Sequence, residues 1–256
     1  MIPADDRGLT LGDGLFETLL ARNGDLVWLD AHLDRMARGC VALGLPALDL
    51  AHARQLCEDA ARTVPGRAAV RLTLTAGSGG RGLDRPSDPA PRLFATAAPA
   101  PKPSGPANLI FAKVRRNEGS PASRLKTLAY LDNILAREEA LAAGADEAVM
   151  LNNRGEIACA AAANVFWIAG KQLFTPELGC GVLSGIMRAH VLSWAGEVGL
   201  RAVETAAGPD AMLAADAIFL TNSLNGVRPA AFAEKPPMVN HPAVLSLEEI
   251  QQSFIG

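Results

Sequence analysis

Cysteine is scarce and poorly arranged for structural use: Cys40, Cys57, Cys159 and Cys180 are scattered over 256 residues with no C-x-x-C pair. That leaves no framework for disulfides or a structural zinc site. The four histidines, His32, His52, His190 and His241, lack metal-ligand spacing too, so no resident metal is expected. Charge of one sign is also missing, with 24 Lys and Arg against 27 Asp and Glu and a formal net charge of −3. Such a balance gives no global reason for nucleic acid or an anionic membrane as partner. The longest apolar run, 157–170, is broken by Asn164 and too short to span a bilayer. The first residues, Met-Ile-Pro-Ala-Asp-Asp-Arg, show no signal-peptide pattern, and the expected location is the cytoplasm. There are no internal repeats.

What the chain does hold is apolar content of 49 %, enough for the cores of two modest domains or one large one. A Gly/Asp-rich turn runs into a strand across 6–20, and Asn23-Gly24 turns it back as a hairpin. Helices are predicted over 31–43, with Asp30 as N-cap, and over 48–63. Val70, Leu72 and Leu74 alternate with Arg71, Thr73 and Thr75, which predicts a strand over 68–76, and a second follows at 91–97. The Gly-rich loop 77–83 between them matches neither a P-loop nor a dinucleotide fingerprint and reads as a flexible active-site or turn loop. Alternating prolines over 98–106 cannot continue a helix or a strand pairing. The expected organisation is therefore a domain over 1–97, a Pro-rich linker over 98–107 and a second domain over 108–256.

In the second domain a strand at 108–114 leads to a helix from 123 to about 143, followed by short strands at 147–151, 156–158, 164–169 and 172–175. A helix from 184 to about 198, strands at 201–204, 217–220 and 227–231, and a closing helix over 245–254 complete it. The functional reading turns on the helix beginning near 123. Leu128, Leu131, Ile134 and Leu135 would form its apolar stripe, Lys126 stands at its start, and Tyr130, four residues on, would share the lysine's face. A lysine at the edge of an apolar stripe can be desolvated into a nucleophilic amine. The same pattern by itself suits an ordinary solvated or snorkelling lysine. At 184–188 the exposed N–H groups of a helix start would make an anion site.

Taken in order, Asp6-Arg7-Gly8, Gly12-Asp13-Gly14-Leu15-Phe16-Glu17-Thr18, His32-Leu33-Asp34-Arg35-Met36, Lys126, Asn164-Val165-Phe166-Trp167, Gly185-Ile186-Met187-Arg188 and Thr221-Asn222-Ser223 resemble the fold type IV pyridoxal-phosphate enzymes. That family includes class IV aminotransferases and aminodeoxychorismate lyases, and the resemblance covers nearly the whole chain. Ser78-Gly79-Gly80-Arg81-Gly82, Lys126-Thr127-Leu128 with Tyr130-Leu131, and Ser184-Gly185-Ile186-Met187-Arg188 look most like the lyase branch. The resemblance implies a mixed α+β or α/β chain, with a small α/β domain, a larger pseudo-barrel domain, pyridoxal 5'-phosphate between them, and a homodimer. It assigns Lys126 as the internal-aldimine lysine and proton shuttle. Arg35 becomes the phosphate arginine, where a planar fork suits the anion. The backbone N–H groups of Ile186 and Met187 would add to that site, with Gly185 allowing close approach and Asn222 or Ser223 adding a side-chain donor. Tyr130 would reach the cofactor's phenolic oxygen, and Arg81 is the candidate for a substrate carboxylate. His32 is expected to order the first domain rather than to do chemistry.

Three departures from the family pattern stand out. Where relatives carry the Glu that pairs with the cofactor's ring nitrogen, five residues before Asn164, this chain has Cys159. Glu156 is nearby, but strand alternation puts it on the opposite face unless a bulge intervenes. Ala129 replaces a frequent Asn, and no strand is expected before Asp6-Arg7-Gly8. A thiol cannot support a protonated ring as a carboxylate does, which favours elimination over transamination. The implied function is 4-amino-4-deoxychorismate lyase, releasing pyruvate and 4-aminobenzoate. The alternatives are a class IV aminotransferase for a D-amino or branched-chain amino acid, and a cofactor-binding protein without turnover.

Overall fold

In the computed structural model, which describes residues 2–102, 105–233 and 239–255, the chain divides into two units. The first comprises Met1–Pro101 with Leu125–Ala129, and the second Lys102–Arg124 with Tyr130–Gly256. Positions 103 and 104 of the expected linker lie outside the described residues.

Asp6 caps the first element, α1 (Arg7–Leu11), by accepting the Gly8 N–H at 2.8 Å. Then come β1 (Gly14–Arg22), β2 (Asp25–Leu26), α2 (Leu29–Leu43), α3 (Leu50–Arg62), β3 (Arg67–Thr75) and β4 (Arg92–Pro99). The expected hairpin is present, with Arg22 opposite Asp25. The four strands form an antiparallel sheet in the order β2-β1-β3-β4. Leu15, Leu19 and Ala21 of β1 and Val70, Leu72 and Leu74 of β3 share a core with Leu33, Met36 and Cys40 of α2 and Ala53 and Cys57 of α3. By the two-residue period of a strand, Glu17 lies in that same core-facing row. Asp30 is not the cap of α2: Trp28 holds that position, and Asp30 pairs with Arg54 of α3.

The second unit runs β5 (Ala107–Phe111), α4 (Pro121–Arg124), α5 (Leu131–Ala142), β6 (Glu147–Leu151), β7 (Ile157–Ala160), β8 (Asn164–Ala169), β9 (Gln172–Pro176), α6 (Ile186–Trp194), β10 (Arg201–Thr205), α7 (Pro209–Leu213), β11 (Ala217–Asn222), β12 (Gly226–Phe232) and α8 (Pro242–Ile255). Its eight strands form one mixed sheet in the order β10-β9-β8-β11-β12-β5-β6-β7. The sheet curls, bringing β7 at one end back against β8. Both faces of β6 are covered. Val149 and Leu151 join a large apolar cluster with Val165, Trp167, Met212 and Leu220. Ala148 and Met150 meet Ala136 and Ala140 of α5, where small residues let helix and sheet approach closely. Among the described residues, no helix is long and apolar enough to cross a membrane and no His/Cys/Asp/Glu group could hold a metal ion.

One expected element is absent. Instead of a single helix from 123, α4 ends at Arg124, α5 starts at Leu131, and the stretch between them joins the first unit. There it runs antiparallel beside the start of β1, where β2 does not reach. The Phe16 N–H donates to the Lys126 carbonyl at 2.9 Å, the Leu128 N–H to the Gly14 carbonyl at 3.0 Å, and Leu15 pairs with Thr127. Gly14 permits this, because a Cβ there would lie 2.2 Å from the Leu74 carbonyl oxygen and 2.7 Å from Leu128 Cδ1. An open strand edge offers backbone partners that outweigh the helical period of the sequence. The supposed stripe is not core: Leu131, Ile134 and Leu135 are 64 %, 55 % and 45 % exposed.

Candidate active site

The expected site residues fall into two groups, one in each unit. In the first, Glu17 sits beneath α2 at 1 % exposure, where an isolated carboxylate would be costly. Two residues three apart on α2 meet it. Arg35 grips it from two atoms, Nε to Oε1 at 2.8 Å and Nη2 to Oε2 at 2.6 Å, and His32 Nδ1 lies 2.7 Å from Oε2. Burial pushes the Glu17 pKa up, but the bonds from Arg35 and His32 prevail and bring it down to about 2. His32 is held below its ordinary pKa, chiefly by burial, and the charges of Arg35 and Lys126 act in the same direction. The neutral ring, with Nδ1–H assigned towards Glu17, leaves Nε2 as an acceptor without a hydrogen-bond partner among the described residues. The two-point grip fixes the plane of the Arg35 guanidinium.

Lys126 is placed by its edge pairing rather than by a helix. Its Nζ stands 4.2 Å from the centroid of the Phe16 ring, and the same ring carries the Arg71 guanidinium, with Cζ at 3.8 Å. Phe16 thus holds two cations by cation–π contact, on the face of β1 opposite Glu17. Arg71 was not singled out by the sequence; its place in an alternating strand two residues along from the partner of Phe16 was the available signal.

The Gly-rich loop is tethered rather than flexible. Arg7, 5 % exposed, donates from Nη2 to the Leu83 carbonyl at 2.9 Å and from Nη1 to those of Asp84 at 3.0 Å, Gly82 at 3.4 Å and Gly79 at 3.5 Å. Its Nε binds Asp13, which also receives two bonds from Arg85. Arg81 is exposed on this loop, where its backbone bridges to Asp84.

The second group surrounds the start of α6. Gly185 is extended at the N-cap and its carbonyl accepts the Ala189 N–H, so the Ile186 and Met187 N–H groups belong to the helix turn with no intrahelical acceptors. A Cβ on Gly185 would lie 2.0 Å from Asn164 Oδ1, and Asn164 is pinned by its Nδ2 bond to the Leu183 carbonyl at 2.9 Å. Asn164 pairs in the sheet with Thr221, whose buried Oγ1 has no partner among the described residues. Asn222 is spent on its own turn: Oδ1 accepts from Leu224 and Asn225, and Nδ2 donates to the Ala162 carbonyl. Ser223 is half-buried beside it. A cradle only a glycine fits, an orphaned hydroxyl and a helix start together suit a phosphate group. Gly185→Ala is expected to cost about 1–3 kcal/mol of stability and weaken phosphate-cofactor binding at least about tenfold. A cofactor titration checks it, and unchanged affinity would count against this cradle.

The remaining expected residues are placed differently from the simple pattern. Tyr130 is the N-cap residue of α5 in the second unit, so a helical face shared with Lys126 is corrected by the break between α4 and α5. Cys159 is buried on β7, and burial pushes its thiol pKa up. The β6/β7 register does shift at Met150/Leu151, but Glu156 is engaged elsewhere. It accepts from Asn152 at 2.7 Å and from Arg154 Nε at 2.9 Å, with the Cys180 thiol at 3.6 Å. The carboxylate that acts on Cys159 is instead Glu147, at the start of β6, which sequence reading passed over.

A mixed α/β chain with this curled sheet has the fold of the type IV pyridoxal-phosphate enzymes. The chain belongs to the class IV aminotransferase family: residues 14–231 match the family described as Amino-transferase class IV. It is therefore an enzyme of a family whose cofactor is pyridoxal phosphate. A Methanocaldococcus jannaschii protein provisionally named a branched-chain-amino-acid aminotransferase is 31 % identical over 231 residues, 88 % of this chain and 80 % of its own. The aminodeoxychorismate lyase of Bacillus subtilis is 28 % identical over 233 residues, 88 % of this chain and 78 % of its own. The solved structure of 4-amino-4-deoxychorismate lyase from Pseudomonas aeruginosa matches with a TM-score of 0.88 at 28 % identity, covering 100 % of this chain and 96 % of that one.

Proposed function

We propose that the protein is a 4-amino-4-deoxychorismate lyase that releases pyruvate and 4-aminobenzoate, with pyridoxal 5'-phosphate carried on Lys126. The observation that carries lyase over aminotransferase is the uncharged thiol of Cys159, with Glu156 committed to Asn152 and Arg154. Transamination returns the proton at a different carbon from the one that lost it, which would call for a strong electron sink for the C–H electron pair in the meantime. Elimination gives the electrons another exit.

When bound, the cofactor's ring withdraws electrons and acidifies the substrate C4–H. Arg35 of the first unit, held flat by Glu17, and the Gly185, Ile186 and Met187 backbone of the second would hold the phosphate, with Ser223 as side-chain donor and Asn222 shaping the turn. Tyr130 is assigned to the phenolic oxygen. Lys126 Nζ would take the C4 proton, and the C4–H electron pair would form the new C3–C4 double bond of the substrate ring as the C3–O bond to the enolpyruvyl group breaks. Protonation of the departing enolpyruvate gives pyruvate, and the ring becomes aromatic. The substrate bears two carboxylates. Arg71, beside Lys126 on Phe16, and Arg81 on the tethered loop are the proposed partners for them. Arg71→Gln is expected to raise KM about tenfold to a hundredfold with little change in kcat, as loss of a charged hydrogen bond made equally in ground and transition states. Steady-state kinetics check this, and an unchanged KM would remove Arg71 from the site.

A homodimer and a cytoplasmic location go with this reading; sedimentation at the mass of one chain would contradict the first, and fractionation of cells to a membrane pellet the second. The functional test is incubation of the reconstituted enzyme with aminodeoxychorismate and no 2-oxo acid. Pyruvate and 4-aminobenzoate in equal amounts support the lyase. Amino transfer that needs an acceptor supports the aminotransferase, and cofactor binding with neither activity supports a non-catalytic protein.

A further inference from the structure

Arg116 is a buried cation with no counter-ion among the described residues. At 6 % exposure its guanidinium is held by three neutral acceptors: the Gly181 carbonyl at 3.2 Å from Nε, Asn133 Oδ1 at 2.9 Å from Nη1 and the Ser123 carbonyl at 2.5 Å from Nη2. Asn133 passes the contact on, donating from Nδ2 to the Ala161 carbonyl at 2.7 Å, two residues beyond Cys159. Cys159 and Ala161 share the cluster of small residues under α5. A buried charge left uncompensated projects its field through a low-dielectric surrounding, and the Cys159 thiol is within its reach.

The other charged group acting on Cys159 is Glu147, and it is occupied. Its carboxylate accepts the Ala148 N–H at 3.1 Å, and the backbone at Ala161 and Ala162 and the charge of Arg137 also favour its ionised form. Its pKa is raised by burial, so it is a weaker anion than a surface carboxylate. Position 159 therefore presents a neutral thiol backed by a fixed positive charge.

We propose that Arg116 and Cys159 together hold the proton off any basic ring nitrogen seated at position 159, so that the cofactor works with a neutral pyridine ring. This rests on the function proposed above and on the resemblance, by which position 159 takes the place of the residue that pairs with the ring nitrogen. Arg116 acts through the field at that position and is a positioning residue for charge, not a catalytic one.

The test is ring-nitrogen NMR of the protein reconstituted with pyridoxal 5'-phosphate labelled with ¹⁵N in the ring, followed from pH 6 to pH 9. The expected wild-type shift is that of an unprotonated pyridine throughout. Cys159→Glu should move it to the protonated position, while Cys159→Ser should not. Arg116→Met should raise the protonation midpoint by about one unit, tenfold in the equilibrium, and Arg116→Lys should leave it in place. A protonated nitrogen in the wild type overturns the inference, and its loss in Glu147→Gln would name Glu147 as the counter-ion. If the protein takes up no cofactor, or takes it up without a visible band dependent on Lys126, the functional reading fails and this inference with it. Cofactor bound through Lys126 with a protonated ring sinks the inference alone.

Discussion

Lys126→Ala is expected to lower pyruvate release at least about a thousand-fold and to abolish the visible absorption of the reconstituted protein. The two losses have one cause, since the same amine is assigned both the covalent link and the proton transfer at C4. The structure explains why neighbouring cations should not substitute. Arg71, which shares the Phe16 ring, does not give up its proton at any working pH, and Arg35 is tied at two points to Glu17. The backbone of the segment should be indifferent to the change, because its pairing with Gly14 and Phe16 uses only main-chain atoms. Folded protein with retained absorption would remove Lys126 from the role.

The largest effect on stability is expected from Glu17→Gln, about 3–5 kcal/mol, because it removes the anion from between a buried guanidinium and a buried imidazole. An amide has one acceptor oxygen and two donors, so it cannot take the bonds of Arg35 and His32 together. The pH dependence has a definite sign. With its pKa brought from 4.5 to about 2 on folding, Glu17 binds fewer protons in the folded state than in the unfolded one. Its contribution, roughly 3 kcal/mol, is fully present above about pH 4.5 and is lost as the pH falls through about 2. Denaturant unfolding at pH 7 and pH 3 should show roughly half or more of this loss in the wild type and a smaller one in the variant. Equal acid sensitivity in both would show that the charge of Glu17 does not stabilise the fold.

Much of the fold was legible because strands declare themselves by alternation and short turns. The hairpin at Asn23-Gly24 and the bounds of β6 and β8 follow from local pattern alone, since each satisfies its own backbone and period. The lysine segment was not legible in the same way. Its leucines recur at helical spacing, yet the decisive partners, the Gly14 carbonyl and the Phe16 N–H, lie more than a hundred residues away. Ser78-Gly79-Gly80 looked mobile for the related reason that the tether, Arg7, comes from the start of the chain.

The candidate site residues recognisable by type, Lys126, Arg35, Gly185, Ile186, Met187, Asn222 and Ser223, were suggested by the resemblance. Those that act through their surroundings did not. Glu147 precedes an apolar strand and looks like a solvated first residue, and Arg116 sits among polar loop residues. Only burial makes either of them informative. Cys159 marked a departure in the sequence, but its meaning depends on what stands around it, and Glu156 could be set aside only once its partners Asn152 and Arg154 were in view.

The activity proposed for this chain is elimination rather than transamination. Product analysis with aminodeoxychorismate in the absence of any 2-oxo acid tests it most directly. Sustained, stoichiometric formation of pyruvate and 4-aminobenzoate is expected, lost in Lys126→Ala. No pyruvate from that substrate, together with acceptor-dependent turnover of a D-amino or branched-chain amino acid, would contradict it.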